Sequence, residues 1–143
     1  MDINAHTNDP QGIVEADRAH VWHHLSQHKP YANGVDPRII VEGKGLRVWD
    51  IKGKEHIDAV SGGVWTVNVG YGRKRIADAV AEQLTKMCFF GGLAGTIPTS
   101  IFSEMLIDKM PGLDRVYYAS SGSEANEKAF KMVRQISHNF HGG

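Results

Sequence analysis

The stretch from Leu113 to Ile136, LDRVYYASSGSEANEKAFKMVRQI, constrains the fold more than any other part of this chain. Arg115 to Ala119 is short, apolar and aromatic, which predicts a buried strand. Ser120, Ser121, Gly122 and Ser123 follow with almost no side-chain bulk, and Gly122 admits backbone angles other residues resist. From Glu124 the period becomes helical. Ala125, Ala129, Val133 and Ile136 share one face, with Lys128, Lys131 and Arg134 largely off it on a solvated side. Ser121 and Glu124 have the spacing of a capping box. A small-residue loop entering a helix leaves backbone N–H groups unpaired at the positive end of the helix dipole. Two readings fit that corner: a plain capped helix after a strand, or a cup for an anion, above all a phosphate.

Length and charge bound the rest. The 143 residues suffice for one domain with a core. Sixteen basic and sixteen acidic side chains balance, so electrostatics gives no case for nucleic acid. No apolar run is long enough to span a bilayer. The start, MDINAHTNDP, lacks the basic-then-apolar order of a signal peptide. Cys88 has no partner cysteine, and nothing suggests an oxidising compartment. The expectation is a cytoplasmic protein. A strand followed by a helix is half of a βαβ unit, and its parallel neighbour would lie beyond Gly143. The chain therefore reads as an N-terminal fragment cut inside its main domain.

Taken in order, residues 1–12 form a polar lead and Ile13 to His28 predicts a first helix. His20, His24 and His28 then share a face at i, i+4 and i+8. Two such histidines can hold a metal. No acidic residue or cysteine is placed to complete a ligand set, so a polar helix face is preferred and no metal site is assigned. Lys29 to Pro37 predicts a loop. Arg38 to Ala59 predicts a three-stranded meander, with strands at Ile39–Val41, Leu46–Trp49 and Glu55–Ala59 and a turn at Gly43-Lys44-Gly45. That glycine pair lacks the Walker spacing and the following Ser or Thr, and a hairpin turn explains it.

Ser61 to Gly72, SGGVWTVNVGYG, is rich in glycine and aromatic residues. Two readings fit it equally: a loop wrapping a flat ligand, or an irregular connection with Trp65 in the core. Arg73 to Met87 predicts a helix that buries Ile76, Val80, Leu84 and Met87. Cys88 to Gly95 is a second glycine-aromatic loop, with at least one of Phe89 and Phe90 expected in the core. Cys88 has no histidine near it in sequence and is not read as a nucleophile. Pro98, Thr99 and Ser100 open a helix to Met110, with Phe102, Met105, Leu106 and Met110 as candidate core, and Pro111-Gly112 stops it.

The residues of two of these stretches carry a family resemblance. SSGSEANEKAFKMVR, Ser120 to Arg134, resembles the phosphate-binding loop and helix of class III aminotransferases, which are fold-type I pyridoxal phosphate enzymes. WDIKGKEHIDAVSGGVWTVNVGYGR, Trp49 to Arg73, is similar to the same family's N-terminal signature. Within the family, EADRAHVWHHLSQHKPY, Glu15 to Tyr31, is similar to the taurine–pyruvate group. The resemblance spans nearly the whole chain but only about the first third of such an enzyme.

The resemblance implies an α/β fold. Residues 1–59 would be the N-terminal segment of the small domain. Residues 60–143 would be active-site loops and the truncated beginning of the large cofactor domain. It implies pyridoxal 5'-phosphate as cofactor, with Ser121, Gly122 and Ser123 in its phosphate cup, and it makes Trp65 a wall of the substrate pocket. The first segment would cover the active-site entrance and help the dimer, and the Cys88 loop would reach towards the neighbouring site. A homodimer or homotetramer is implied.

Such an enzyme also needs a lysine for the Schiff base, an acid at the pyridinium nitrogen and a wall against the ring. None of the nine lysines stands in a matching context, so no catalytic residue is assigned and the chain alone is expected to be inactive. The implied reaction passes an amino group from an ω-amino donor, taurine first, to pyruvate, giving sulfoacetaldehyde and alanine. β-Alanine or another ω-amino acid is the alternative donor. A non-enzymatic phosphate-binding module is the alternative class.

Overall fold

The computed structural model describes residues 9–142. The chain divides into two units with the break between Lys86 and Met87.

In the first unit, α1 spans Pro10–His20. Asp9 caps it, accepting a hydrogen bond from the Gly12 N–H, and Pro10 supplies a preset φ at the first helical position. The expected run to His28 stops eight residues early. Val21 turns extended, its N–H still donating to the Asp17 carbonyl, and Leu25 sits at φ 53°. The segment after His20 is poor in strong helix formers, and its rings satisfy one another instead. Trp22 stacks on His28 with centroids 4.5 Å apart, and His23 Nε2 lies 2.6 Å from Asp17 Oδ1. His24 and His28 are thus off the helix, and the three-histidine face does not form. The expected loop at Lys29 carries a short helix, α2, at Lys29–Ala32.

The meander is present as an antiparallel sheet ordered β1 (Ile40–Lys44), β2 (Arg47–Asp50), β3 (Glu55–Ile57). Lys44 pairs with Arg47, which moves the first turn to Gly45-Leu46, and Gly45 takes the positive φ, 61°, that the turn needs. The Asp50 carboxylate organises the second turn. Its Oδ1 accepts the N–H groups of Lys52 and Lys54, both at 3.0 Å, and its Oδ2 lies 2.8 Å from His56 Nε2. Asp36 pairs with both Arg18 of α1 and Lys52 of this turn. The last helix of the unit, α3, spans Lys74–Lys86, as the periodicity predicts. Its apolar stripe is not buried: Ile76, Val80 and Leu84 are each about half exposed. Among the described residues only Val14 and Val48 are buried apolar side chains.

In the second unit, α4 spans Ile97–Ile107, capped by Thr96, and α5 spans Gly122–His141. Arg115 to Ala119 forms no strand. A strand is defined by its ladder, and no described segment offers those residues a partner. Phe89 and Phe90, of which at least one is expected in the core, are both exposed. Phe102, Met105 and Met110 are exposed too, and Leu106 is half-buried. Among the described residues no helix is long and apolar enough to cross a membrane.

Candidate functional site

The start of α5 is built as a capped corner with spare donors. Ser121 is extended, at φ −151° and ψ 164°, and helical geometry begins at Gly122. Ser121 Oγ accepts the Glu124 N–H at 3.2 Å, and the Ser121 carbonyl accepts the Ala125 N–H at 3.0 Å. Glu124 turns back, its Oε2 accepting the Ser120 N–H at 2.8 Å. This is a capping box whose return bond reaches one residue further back than usual. The N–H groups of Gly122 and Ser123 and the Ser123 hydroxyl have no hydrogen-bond partner among the described residues. They stand together at the positive end of a 20-residue helix. The first turn also carries the Glu124 carboxylate, which is directed back to the Ser120 N–H.

Gly122 corrects one expectation. Its φ is helical rather than left-handed, and a Cβ built on it meets nothing within 4 Å. The freedom expected of this glycine is not used by the backbone. The open space in front of it is what a ligand approaching the N–H groups requires.

Lys128 corrects another. It is half-buried, not on a solvated face. Its ammonium donates to the Tyr118 carbonyl and lies 4.3 Å from the centroid of the Tyr117 ring. Tyr118 OH in turn lies 2.8 Å from Ser103 Oγ, linking the segment before the serine loop to α4. Lys131 is exposed as expected.

Trp65 belongs to the first unit. Residues Ser61–Trp65 form one wide turn, closed by the Trp65 N–H to the Val60 carbonyl and the Thr66 N–H to the Ser61 carbonyl. Gly62 and Gly63 have positive φ, and so do Ser61 at 56° and Trp65 at 60°, which side chains other than glycine rarely adopt. The Trp65 side chain is 75% exposed, so it is not a core residue of its unit.

Asp58 anchors that turn. Its Oδ1 accepts the Val60 N–H at 3.0 Å, and its Oδ2 accepts the Gly62 N–H and the Tyr71 hydroxyl, both at 2.7 Å. The Gly62 N–H, then the Tyr71 hydroxyl, hold the Asp58 carboxyl below its ordinary pKa. The same bond to Asp58, with some burial, holds the Tyr71 hydroxyl above its own. Tyr71 is pinned to the hairpin by paired backbone bonds with Gly45, at 2.9 and 3.1 Å. Its ring fills the space above Gly43, where a Cβ would come within 2.5 Å of it. Sequence reasoning passed over Asp58 and Tyr71, and it read Lys128 only as part of a solvated face. An aspartate two residues before a turn is an Asx-turn signal that points to Asp58; the other two have no local signature.

Comparison with known proteins gives a family. Residues 30–142 match the pattern of aminotransferase class-III. The hypotaurine/taurine–pyruvate aminotransferase of Paracoccus denitrificans is 62% identical over 143 residues, covering all of this chain and 31% of that protein. The taurine–pyruvate aminotransferase of Rhodobacter capsulatus is 64% identical over 135 residues, covering 94% of this chain and 29% of that protein. Among solved structures, the adenosylmethionine-8-amino-7-oxononanoate aminotransferase of Methanocaldococcus jannaschii superposes with a TM-score of 0.82 at 34% identity. It covers 90% of this chain and 30% of that one. An (S)-enantioselective omega-transaminase from Thermomicrobium roseum gives 0.81 at 33% identity, over 88% of this chain and 28% of that one. The chain thus spans about 30% of the length of the relatives it matches. With the family pattern reaching from the second helix to the end of α5, this chain belongs to the class-III aminotransferases.

Proposed function

We propose that this chain supplies the phosphate cup and one pocket wall of a pyridoxal phosphate-dependent aminotransferase. The proposed reaction moves the amino group of taurine to pyruvate. The observation that carries the cofactor is the trio of spare donors at the start of α5: the N–H groups of Gly122 and Ser123 and the Ser123 hydroxyl. They suit a phosphate in number and in sign of the local dipole. When bound, pyridoxal phosphate supplies the aldehyde that takes up the amino group and the electron sink for breaking the neighbouring C–H bond. Ser121 caps the first turn by accepting the Glu124 N–H, which leaves its own hydroxyl hydrogen to donate, and it is proposed with Gly122 and Ser123 as part of the cup.

Trp65 is proposed as a pocket wall, supported by its exposure and its fixed backbone. Identity of 62–64% to proteins named for taurine and pyruvate favours that donor and acceptor over β-alanine. We assign no catalytic residue in this chain. Lys128, the lysine nearest the cup in sequence, is committed to the Tyr118 carbonyl and a ring face. Residues 1–59 are proposed for the small domain and 60–143 for the large one, in a cytoplasmic homodimer or homotetramer.

The test uses the full-length protein. Pyridoxal phosphate binding is titrated in the wild type and in Ser123→Ala, and alanine formation from pyruvate is followed with taurine and with β-alanine. Tight cofactor binding weakened by the variant, with taurine preferred, is the expected result. Equal cofactor affinity in both forms places the cup elsewhere; preference for β-alanine replaces the donor. The 143-residue chain alone, assayed with cofactor, is expected to give no turnover above cofactor in buffer.

A further inference from the structure

The wide turn that presents Trp65 is held against its own preferences. Ser61 and Trp65 both sit at positive φ, each at a cost of about 1 kcal/mol or more for a residue with a Cβ. Such a conformation persists only where its surroundings over-determine it. The surroundings here can be named. One carboxylate oxygen, Asp58 Oδ2, receives both the Gly62 N–H inside the turn and the Tyr71 hydroxyl outside it, each at 2.7 Å. Within the turn, Ser61 Oγ accepts the Val67 N–H at 2.9 Å and donates to Asn68 Oδ1 at 3.1 Å. Tyr71 cannot drift. Its backbone is bridged to Gly45, and its ring rests on Gly43, a position in the hairpin with no room for any side chain. Gly70, just before it, is equally closed: a Cβ there would lie 2.7 Å from the Gly45 carbonyl oxygen.

We infer that Asp58 and Tyr71 are positioning residues for donor selection: through the shared Asp58 oxygen they tie the Trp65 turn to the β1–β2 hairpin and so set where the indole stands. The inference rests on the proposal that Trp65 walls the donor pocket. The sheet is the rigid body, Tyr71 is the strut, and Asp58 is the joint. Removing the strut leaves the turn closed by its own backbone bonds but free to relax its two positive-φ residues. The indole then shifts, and the pocket loses discrimination between donors of different head-group size and shape while the cofactor stays bound.

The test compares wild type, Tyr71→Phe, Trp65→Ala and the double variant in the full-length protein. Tyr71→Phe deletes one hydroxyl and keeps the ring on Gly43, so the hairpin contact survives. Asp58→Asn serves as a second variant that weakens the same joint. Two readouts are taken: hydrogen exchange of the Gly62, Thr66 and Val67 amides, and the ratio of kcat/KM for taurine to that for β-alanine. Loss of one net hydrogen bond predicts exchange faster on the order of fivefold at these amides in Tyr71→Phe. It also predicts a shifted donor ratio at unchanged cofactor affinity. In the double variant the ratio should match that of Trp65→Ala alone, because the two residues act as one unit. If Trp65→Ala shifts the ratio but Tyr71→Phe leaves both ratio and exchange at wild-type values, the strut is overturned and the pocket wall stands. If Trp65→Ala leaves the ratio unchanged, the pocket wall falls and this inference falls with it.

Discussion

The Lys128 ammonium donates to the carbonyl of Tyr118, reaching back ten residues from α5 to the segment that precedes the serine loop. The bond crosses the serine loop. It therefore fixes the direction in which the chain enters Ser120 and, with it, the aim of the Gly122 and Ser123 N–H groups. Lys128→Met keeps the length and the apolar stem but removes the charged donor. Hydrogen bonds from charged groups contribute ~1.5 kcal/mol or more, so cofactor affinity in the full-length protein should fall by roughly tenfold. Lys128→Arg should recover part of it. Absorbance titration with pyridoxal phosphate reads both. Equal affinity in Lys128→Met and wild type would mean that the loop holds its aim unaided.

Gly122 separates the needs of the helix from those of the ligand. Its backbone is helical and its Cβ direction is open. Gly122→Ala should therefore leave the thermal midpoint unchanged or raise it, by up to ~1 kcal/mol in stability, since alanine is the better helix former. Gly122→Val should weaken the cofactor by about an order of magnitude or more, because a branched side chain fills the approach to the N–H groups. A large stability loss in the alanine variant would contradict the helical assignment.

Ser121 should matter to the helix before it matters to the cofactor. Ser121→Ala deletes the acceptor for the Glu124 N–H and should cost ~1 kcal/mol. Hydrogen exchange at Glu124 and Ala125 is the direct measurement. Glu124→Ala frees the Ser120 N–H and should add a smaller loss, and the two effects should not sum because they belong to one box.

The second turn of the meander should weaken in acid. The Asp50 carboxyl is held below its ordinary value of 3.8, first by the contact with His56 and then by the Lys54 and Lys52 N–H groups. A lowered folded-state pKa means that the folded form binds the proton less readily than the unfolded chain does. Its stabilisation is present in full above 3.8 and is lost as the pH falls through the lower folded value. Protection of the Lys54 amide, followed from about pH 5 downwards, should drop in that window in wild type. In Asp50→Asn the drop should be absent, since the amide cannot titrate.

Most helices and the sheet were legible because each announces itself locally. α3 follows from the spacing of Ile76, Val80 and Leu84, and the capping box follows from Ser121 and Glu124. What failed did so for non-local reasons. The strand at Arg115 to Ala119 needs a ladder partner that no described segment supplies. α1 ends at His20 because Trp22, His23, His28 and Tyr31 gather into a ring cluster, a competition that periodicity cannot see. Burial at Phe89 or Phe90 required neighbours that the described residues do not contain. At the candidate site, the small-residue entry to α5 was readable from composition, whereas the packing of Tyr71 depends on a glycine 28 residues earlier, at Gly43, leaving room for a ring.

Among the described residues, the hydrogen-bond partners of the Trp65 turn lie between Gly43 and Arg73. The hairpin, the joint at Asp58 and the strut at Tyr71 all close over short stretches of chain, where loop entropy is small. A ribosome delivers that stretch before it delivers α5. The Trp65 turn can therefore be finished on a nascent chain, while the start of α5 is still unmade. Errors in the turn would then be set early, ahead of any ligand that could correct them.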